Sequence, residues 1–567
     1  MLELLRWLSW NARVLLVNAY LRVTRGARPY RYLRLSLVGS LTEDPVRGGL
    51  RKLLRGHRAS LPELVELLDE AARDPRLEGV LVNIGALDGG WGQIESLIEA
   101  FAAIRAAGKR VVAFVESADA RAYVLAAASA DQVVLHPTGS IHWAGLRAEV
   151  ALFGPALERL GVDVDLEPVG RFKSAVEPFT RASLSDDARA GLASLIDDLF
   201  HQTCAAVARG RKKSDVEIEA LVDQGPFLAR DALASGLVDR LAFEDEVFAE
   251  LAGEDSPRAL SRLVDPQRYE KLRRRRLRPL RHGHPARIAW IPVTGAIHSG
   301  DASELGAGGA TSTSVVQGLR RARRDDSIRA VLLRVDSPGG SALASDVIWR
   351  EVVRTKGKKP VVVSMGDYAA SGGYYVATGA TAIVAASTTL TGSIGVFGGK
   401  VSLGRLYRKV GVHKDGYGRG ANVQLFSEAR RFTRTERRKL RDHLEDTYRV
   451  FLERVAEGRH STVEVAASHA EGRVWTGKQA LERGLVDATG GLGRALALLR
   501  ETAGIPTSQP LELVSMHRSR GLVSWLAEHV AQGRARTSSV VDVWMTLAHT
   551  CVAGEPLAVL PFALRLS

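Results

Sequence analysis

A tandemly duplicated α/β fold is what this sequence predicts, and three observations carry the prediction. Short words recur in the same order. Gly-Leu-Val-Asp stands at Gly236–Asp239 and Gly484–Asp487, and Thr-Gly-Ser-Ile at Thr138–Ile141 and Thr391–Ile394, with offsets of 248 and 253 residues. A Gly-Gly turn follows an apolar strand at Gly89–Gly90 and again at Gly339–Gly340. Between these marks, strand-like and helix-like stretches alternate at a spacing that predicts parallel β-α-β units.

Each half opens with a strand-like run ending in glycine, Leu33–Gly39 or Ile288–Gly295. A helical stretch follows (Leu61–Ala72; Ser314–Arg323), then a buried strand, Gly79–Ile84 or Ala330–Val335. After the Gly-Gly turn come a second helix and another apolar strand, Arg110–Val115 or Pro360–Met365. Continuous apolar runs such as Val361–Val363 are what a sheet covered on both faces requires. A long helix then enters each half. The second starts with Thr433-x-x-Glu436, a capping box that satisfies two otherwise orphaned backbone N–H groups. Leu440, Leu444, Tyr448 and Phe451 then recur at helical spacing as a buried stripe. The first begins near Ser185 and carries Leu192, Leu195, Ile196 and Leu199. The organisation expected is an N-terminal helix (1–31), a first repeat (32–254), a basic, proline-containing connector (255–286), a second repeat (287–505) and a tail (506–567).

At 567 residues the chain is too long for one core. Its 46% apolar and 25% charged residues are ordinary for a globular protein. The net charge is +14, from 78 basic and 64 acidic residues. Such a balance suits nucleic acid or an anionic membrane surface. No zinc finger or aromatic RNA-binding signature accompanies it, so a membrane surface is expected and nucleic acid is not. The run Arg273–Arg276 also reads as a plain solvated segment. Cys204 and Cys551 stand far apart without metal-ligand spacing, and each is expected as a buried structural thiol. Residues 2–23 are rich in Leu, Val and Trp, but Glu3, Arg6, Asn11, Arg13 and Asn18 interrupt them. No run reaches the ~18 apolar residues of a spanning helix, and the pattern of a secretory signal is missing. Three readings stand: a helix lying in the membrane interface, with Trp7, Trp10 and Tyr20 beside Arg6, Arg13 and Arg22; a helix packed on protein; and a tilted anchor.

The strongest chemical signal is Ser364-Met-Gly-Asp-Tyr-Ala-Ala-Ser371-Gly-Gly-Tyr-Tyr-Val376. It places Ser371 at a strand-to-helix turn, where free backbone N–H groups favour developing negative charge. The alternative is a small-residue turn for tight helix–sheet packing. Asp336-Ser-Pro-Gly339-Gly340 adds a turn at the end of a buried parallel strand, the edge where such sheets bind ligands. The N–H groups of Gly339, Gly340 and Gly372 could form an oxyanion hole there, or the turn is an ordinary one. A serine nucleophile needs a base. No Gly-x-Ser-x-Gly elbow occurs and no histidine lies near Ser371 in sequence, although a histidine could be brought from afar. Lys173, flanked by Phe172 and Val176, is the other candidate, provided burial lowers its pKa. Most lysines are solvated surface groups.

Taken together, Gly-Arg-Phe-Lys173-Ser-Ala-Val-Glu-Pro, Asp-Ser-Pro-Gly339-Gly340, Ala-Ala-Ser371-Gly-Gly-Tyr-Tyr and Leu-Thr-Gly-Ser393-Ile-Gly-Val-Phe-Gly resemble the signal peptide peptidase A family in its long, duplicated form. The resemblance covers roughly residues 30–500. It implies tandem ClpP/crotonase-like domains, Ser371 as nucleophile, Lys173 as general base and Ser393 as the residue orienting the lysine. It further implies a homotetramer at the bacterial inner membrane that degrades released signal peptides without metal, nucleotide or other cofactor. Under this reading the first half contributes the base and the second the nucleophile, so the halves must dock. Ala421 stands where Lys173 would recur, and the stretch Asp119–Arg121 where Ser371 would, so one active site per chain is expected. Two other classes are weighed beside it: a non-catalytic scaffold of the same fold, and a crotonase-like enzyme acting on acyl thioesters. The tail, with its apolar stretch Gly554–Leu564, has no counterpart in these motifs and is expected to cover an edge or touch the membrane.

Overall fold

The structure is a computed structural model describing residues 11–12, 15–16, 19, 31–43, 60–253, 262–274, 285–301, 309–507, 509–516 and 556–559. Most of the N-terminal segment 2–23, parts of the basic connector and most of the tail therefore lie outside the described residues. Among the described residues no helix is long and apolar enough to cross a membrane. Two compact units form. The first comprises residues 1–145, 200–288 and 490–513, the second residues 146–199, 289–489 and 514–567.

In the first unit the chain runs β1 (Tyr32–Gly39), α1 (Leu61–Arg73), β2 (Gly79–Leu87), α2 (Trp91–Ala106), β3 (Arg110–Val115), α3 (Ala120–Ser129) and β4 (Gln132–Leu135). Its sheet has the order Leu263–Val264, β1, β2, β3, β4, Arg240–Leu241, and every neighbouring pair is parallel. Val80, Leu81 and Val82 of β2 and Val111–Val115 of β3 are buried without alternation, as expected for strands covered on both faces.

The second unit repeats this plan and adds to it. Its elements are β5 (Asp163–Val169), β6 (Ala286–Thr294), α4 (Ser312–Arg324), β7 (Ile328–Ser337), β8 (Gly339–Ser341), α5 (Ala342–Lys356), β9 (Val361–Ala370), α6 (Gly372–Thr378), β10 (Leu390–Gly392), β11 (Val396–Ser402), α7 (Arg434–Gly458), β12 (Val474–Thr476) and β13 (Leu557–Val559). One sheet contains β12, β10, β9, β7 and β6 side by side, with β7–β9 and β9–β10 parallel. A second, six-stranded sheet has the order Ala310–Thr311, Ile297–His298, β8, β13, β11, β5. The capping box of α7 forms as expected, with Thr433 accepting from Glu436 N–H and the Glu436 side chain accepting from the Thr433 N–H. Leu440, Leu444 and Phe451 are buried on the core side of α7, and Tyr448 packs partly buried beside them.

The recurring Gly-Leu-Val-Asp turns out to be structural. Asp239 of the first Gly-Leu-Val-Asp accepts from both Arg211 guanidinium nitrogens and from Val133 N–H. Asp487 of the second does the same with Arg459 and Ile383 N–H. Tyr123 donates to Leu237 O, and Tyr374 donates likewise to Leu485 O. Such charge-assisted bonds tie the end of a short strand to the sheet. They need the same residue types in both copies whatever chemistry either copy performs.

Candidate active site

Lys173 reaches the site because β5, from the first half of the sequence, pairs with β11 of the second half inside one compact unit. The pairing is antiparallel, with Val169 opposite Val396 and Asp163 opposite Ser402. Past the strand end Phe172 N–H donates to Glu471 O at 2.6 Å, and Lys173 comes within reach of Ser393. Asp165 anchors β5 from its buried position, accepting from Arg431, Arg437 and Phe432 N–H. Beyond β5 the chain turns through Gly170, and Lys173 N–H donates to Gly170 O at 3.0 Å. A 3₁₀ turn, Ser174–Val176, then leads the chain away.

The opposing wall is Gly472, at φ +75°. A Cβ there would lie 2.6–2.7 Å from the N, Cα and Cβ of Lys173, so only glycine lets the two backbones approach this closely. Replacing Gly472 with Ala is expected to displace Lys173. The variant should lose at least about tenfold in any activity that depends on Lys173 and about 1–3 kcal/mol in stability, read by urea unfolding. Wild-type kcat/KM in that variant would refute the packing argument. Sequence reasoning missed Gly472, and its one signal was a glycine in Ala470-Glu-Gly472-Arg473, just before a strand.

Ser371 sits between β9 and α6, as its flanking sequence predicts. Its backbone is at φ +55°, ψ −111°, outside the regions that suit a side chain, a strain of about 1–3 kcal/mol. Two hydrogen bonds hold it there: Ser371 N–H to Gly392 O at 2.7 Å, and Tyr375 N–H to Ser371 O at 2.8 Å. The hydroxyl makes no helix-capping bond. It faces Lys173 Nζ at 2.8 Å, with Gly395 O at 3.4 Å. In the first repeat Asp119 holds the equivalent place, at the start of α3, with an ordinary φ of −74°. There the carboxylate accepts from Ala122 N–H as a plain helix cap. Ala421, standing for Lys173 in the second repeat, is exposed.

Lys173 Nζ has two further neighbours, Ser393 O at 3.1 Å and Ser393 Oγ at 3.0 Å. All three side chains are essentially inaccessible, at 2%, 0% and 0% exposure for Lys173, Ser371 and Ser393. Burial alone pushes the Lys173 ammonium well below the ordinary lysine range. A neutral amine has two N–H bonds and one lone pair. The Ser393 carbonyl can only accept, and Ser393 Oγ is placed to accept the second N–H. With Lys173 neutral, the lone pair is left for the Ser371 O–H; with Lys173 protonated, Nζ donates to Ser371 Oγ instead. Ser393 itself is fixed at φ +51°, its N–H donating to Arg473 O at 2.7 Å.

The three glycines named from sequence lie together. Gly339 has φ +106°, and a Cβ on it would fall 2.9 Å from Gly372 N. A Cβ on Gly372 would lie 3.1 Å from Gly340 N. Gly339 N–H donates to Ser337 Oγ at 3.1 Å, which leaves the N–H groups of Gly340 and Gly372 as the better pair for an oxyanion. Ser337 is a second residue that sequence reasoning passed over. Among the described residues, no three His, Cys, Asp or Glu side chains converge as a metal site needs.

Comparison with known proteins gives concordant matches. The family described as Peptidase family S49 matches residues 103–256 and 354–506, two copies that contain Lys173 and Ser371 respectively. The chain is 33% identical over 503 residues to "Serine protease SPPA, chloroplastic" of Arabidopsis thaliana, covering 87% of this chain and 73% of that one. It is 33% identical over 456 residues to "Protease 4" of Haemophilus influenzae, covering 76% and 71%. A shorter match, 30% over 226 residues, is to "Putative signal peptide peptidase SppA" of Enterococcus faecium, covering 40% and 65%. Two family copies on mixed α/β units with parallel sheets make the fold the tandem ClpP/crotonase-like arrangement expected from the sequence.

Proposed function

The chain belongs to peptidase family S49 in its long, duplicated signal-peptide-peptidase-A form and is a serine peptidase, and from that premise we propose that it is an endopeptidase working through a Ser371–Lys173 dyad on apolar peptides, signal peptides released after preprotein processing among them. The observation that carries the dyad is the buried 2.8 Å approach of Lys173 Nζ to Ser371 Oγ, with Ser393 taking up the amine's own hydrogens. The substrate class rests on the family's duplicated form and on the name of the Enterococcus relative.

In this mechanism neutral Lys173 accepts the Ser371 hydroxyl proton as Oγ bonds to the substrate carbonyl carbon. The carbonyl π-pair moves onto oxygen, which the N–H groups of Gly340 and Gly372 hold, with Gly339 shaping the turn. The Lys173 ammonium passes its proton to the leaving nitrogen as the peptide bond breaks, leaving an ester on Ser371. Water then adds to that ester, Lys173 again taking the proton and returning it to Ser371 Oγ as the acid product departs. Turnover of a fluorogenic apolar peptide in detergent by wild type, Ser371→Ala and Lys173→Ala tests the assignment. Loss in both variants supports it, and equal turnover in wild type and Ser371→Ala overturns it.

Association with the inner membrane and assembly as a homotetramer are part of the same proposal. The interleaved Trp7, Trp10, Tyr20 and Arg6, Arg13, Arg22 support the membrane contact. The expected result is co-flotation with vesicles rich in anionic lipid, weakening as salt is raised. Absence of flotation at low salt would remove the membrane claim and leave the dyad untouched.

A further inference from the structure

The described end of the tail lies in the candidate active site. Strand β13 is inserted between β8 and β11 and is antiparallel to both. Its register sets Ser341 opposite Leu557, Gly340 opposite Ala558 and Gly339 opposite Val559. Ala342 N–H donates to Pro556 O at 3.1 Å, so the next hydrogen-bonded pair of the ladder is Gly340 with Ala558. The Ala558 carbonyl oxygen lies 2.0 Å from where a Cβ on Gly339 would stand, and 3.3 Å from one on Gly372. A backbone carbonyl of the chain itself thus rests against the glycines assigned to the oxyanion.

The side chains fit as well as the backbone. Leu557 is 1% exposed, in a cluster with Phe397, Leu166 and the pair Ala175 and Val176 that closely follows Lys173 in the chain. Ala558, fully buried against the main core, is as small as the approach to Gly372 demands. Pro556 has no N–H to donate and stands at the strand's first edge, where its carbonyl still accepts from Ala342 N–H. An extended peptide recognised by a sheet takes its affinity from main-chain bonds and its selectivity from alternate side-chain pockets. The strand has the main-chain pairing and one pocketed side chain, Leu557, at the place where an endopeptidase must seat the carbonyl it attacks. Ser371 is at the same time wholly inaccessible.

We propose that β13 is an internal competitor, a tail strand occupying the cleft between β8 and β11 that an extended substrate must enter, with Leu557 held in an apolar pocket that a substrate side chain takes when the tail leaves. The proposal rests on the peptidase reading above. Because the strand belongs to the same chain, its return to the cleft is unimolecular, and substrate reaches only the fraction of molecules whose strand is out. The apparent KM is raised by the reciprocal of that fraction, while kcat is unaffected.

The test uses the full chain with the graded substitutions Leu557→Ala and Leu557→Asp, assayed with the fluorogenic apolar peptide and with a fluorophosphonate that labels the nucleophilic serine. The expected result is a KM that falls stepwise, by about fivefold or more for Leu557→Asp, with kcat within about twofold and labelling correspondingly faster. A synthetic Glu-Pro-Leu-Ala-Val-Leu peptide added in trans should restore a higher KM in Leu557→Asp. A fall in kcat together with a lower melting temperature, or an unchanged KM in both variants, would overturn the proposal and make β13 a structural strand. Turnover that survives Ser371→Ala would instead defeat the Ser371–Lys173 assignment, so the two failures are told apart.

Discussion

Ser371→Ala is expected to abolish peptide turnover, by about 10⁴-fold or more, while the protein keeps its fold. The size follows from the role. Removing a nucleophile leaves only substrate binding and oxyanion stabilisation, and in other serine peptidases that remainder is a small part of the rate. Retention of the fold follows from the surroundings. The backbone bonds of residue 371 to Gly392 O and from Tyr375 N–H do not involve the hydroxyl, and the hydroxyl caps no helix. The alanine variant should therefore bind substrate and melt close to wild type, since it loses one buried hydroxyl whose partner, Lys173, retains both Ser393 contacts. Turnover and calorimetry together decide the matter. Comparable turnover would move the nucleophile elsewhere. Lost turnover with a large fall in melting temperature would leave the role unproven, and labelling of wild type but not the variant by a fluorophosphonate then settles it.

Replacing Lys173 with Met is expected to lower kcat/KM by about 10²–10⁴-fold, the range a positioned general base supplies, and yet to raise the melting temperature near neutral pH. The sign follows from linkage. In the unfolded chain Lys173 binds its proton at the ordinary lysine value of about 10.4. In the folded protein burial pushes the value well down. Between the two, the unfolded chain holds one proton more, so this residue's contribution makes stability rise with pH through that window. Below the folded value both states are protonated, and the folded protein bears the full cost of a buried ammonium. Methionine fills a similar volume and carries no such cost. Activity in the wild type should rise with pH as Lys173 deprotonates and fall as it is protonated. Lys173→Arg, which stays charged, should be inactive throughout. A pH–rate profile flat over about pH 6–9 with Lys173→Met still active would remove the base assignment.

These expectations rest on residues that were legible to different degrees. Ser371 and its strand-to-helix turn could be read because the signal is local: an apolar strand, a serine, two glycines and a helix in thirteen residues. The Gly-Gly turn at 339–340 and the capping box of α7 were legible for the same reason. Lys173 could be nominated only through its flanking apolar residues and the family resemblance. Nothing within a few residues of it encodes burial. That comes from β5 pairing with β11, from Gly472 and from Ser393, positions 220 to 299 residues away for the last two.

The duplication shows the same division. By itself the sequence determined that the chain would fold as two α/β repeats, because hydrophobic periodicity and turn residues act over a few residues and recur. It also determined that the two repeats would differ chemically, since the stretch Asp119–Arg121 and Ala421 stand where the serine and the lysine would recur. Which pieces form a compact unit was decided only in three dimensions. Residues 146–199 leave the first half and join the unit containing Ser371, so base and nucleophile share one unit rather than facing each other from two. The place of Leu557–Val559 between β8 and β11 was likewise a tertiary outcome. Strand pairing is made by backbone groups that every residue carries, so an apolar segment such as Leu557–Val559 is compatible with many edges. Which edge receives it depends on where the rest of the chain leaves an unpaired one.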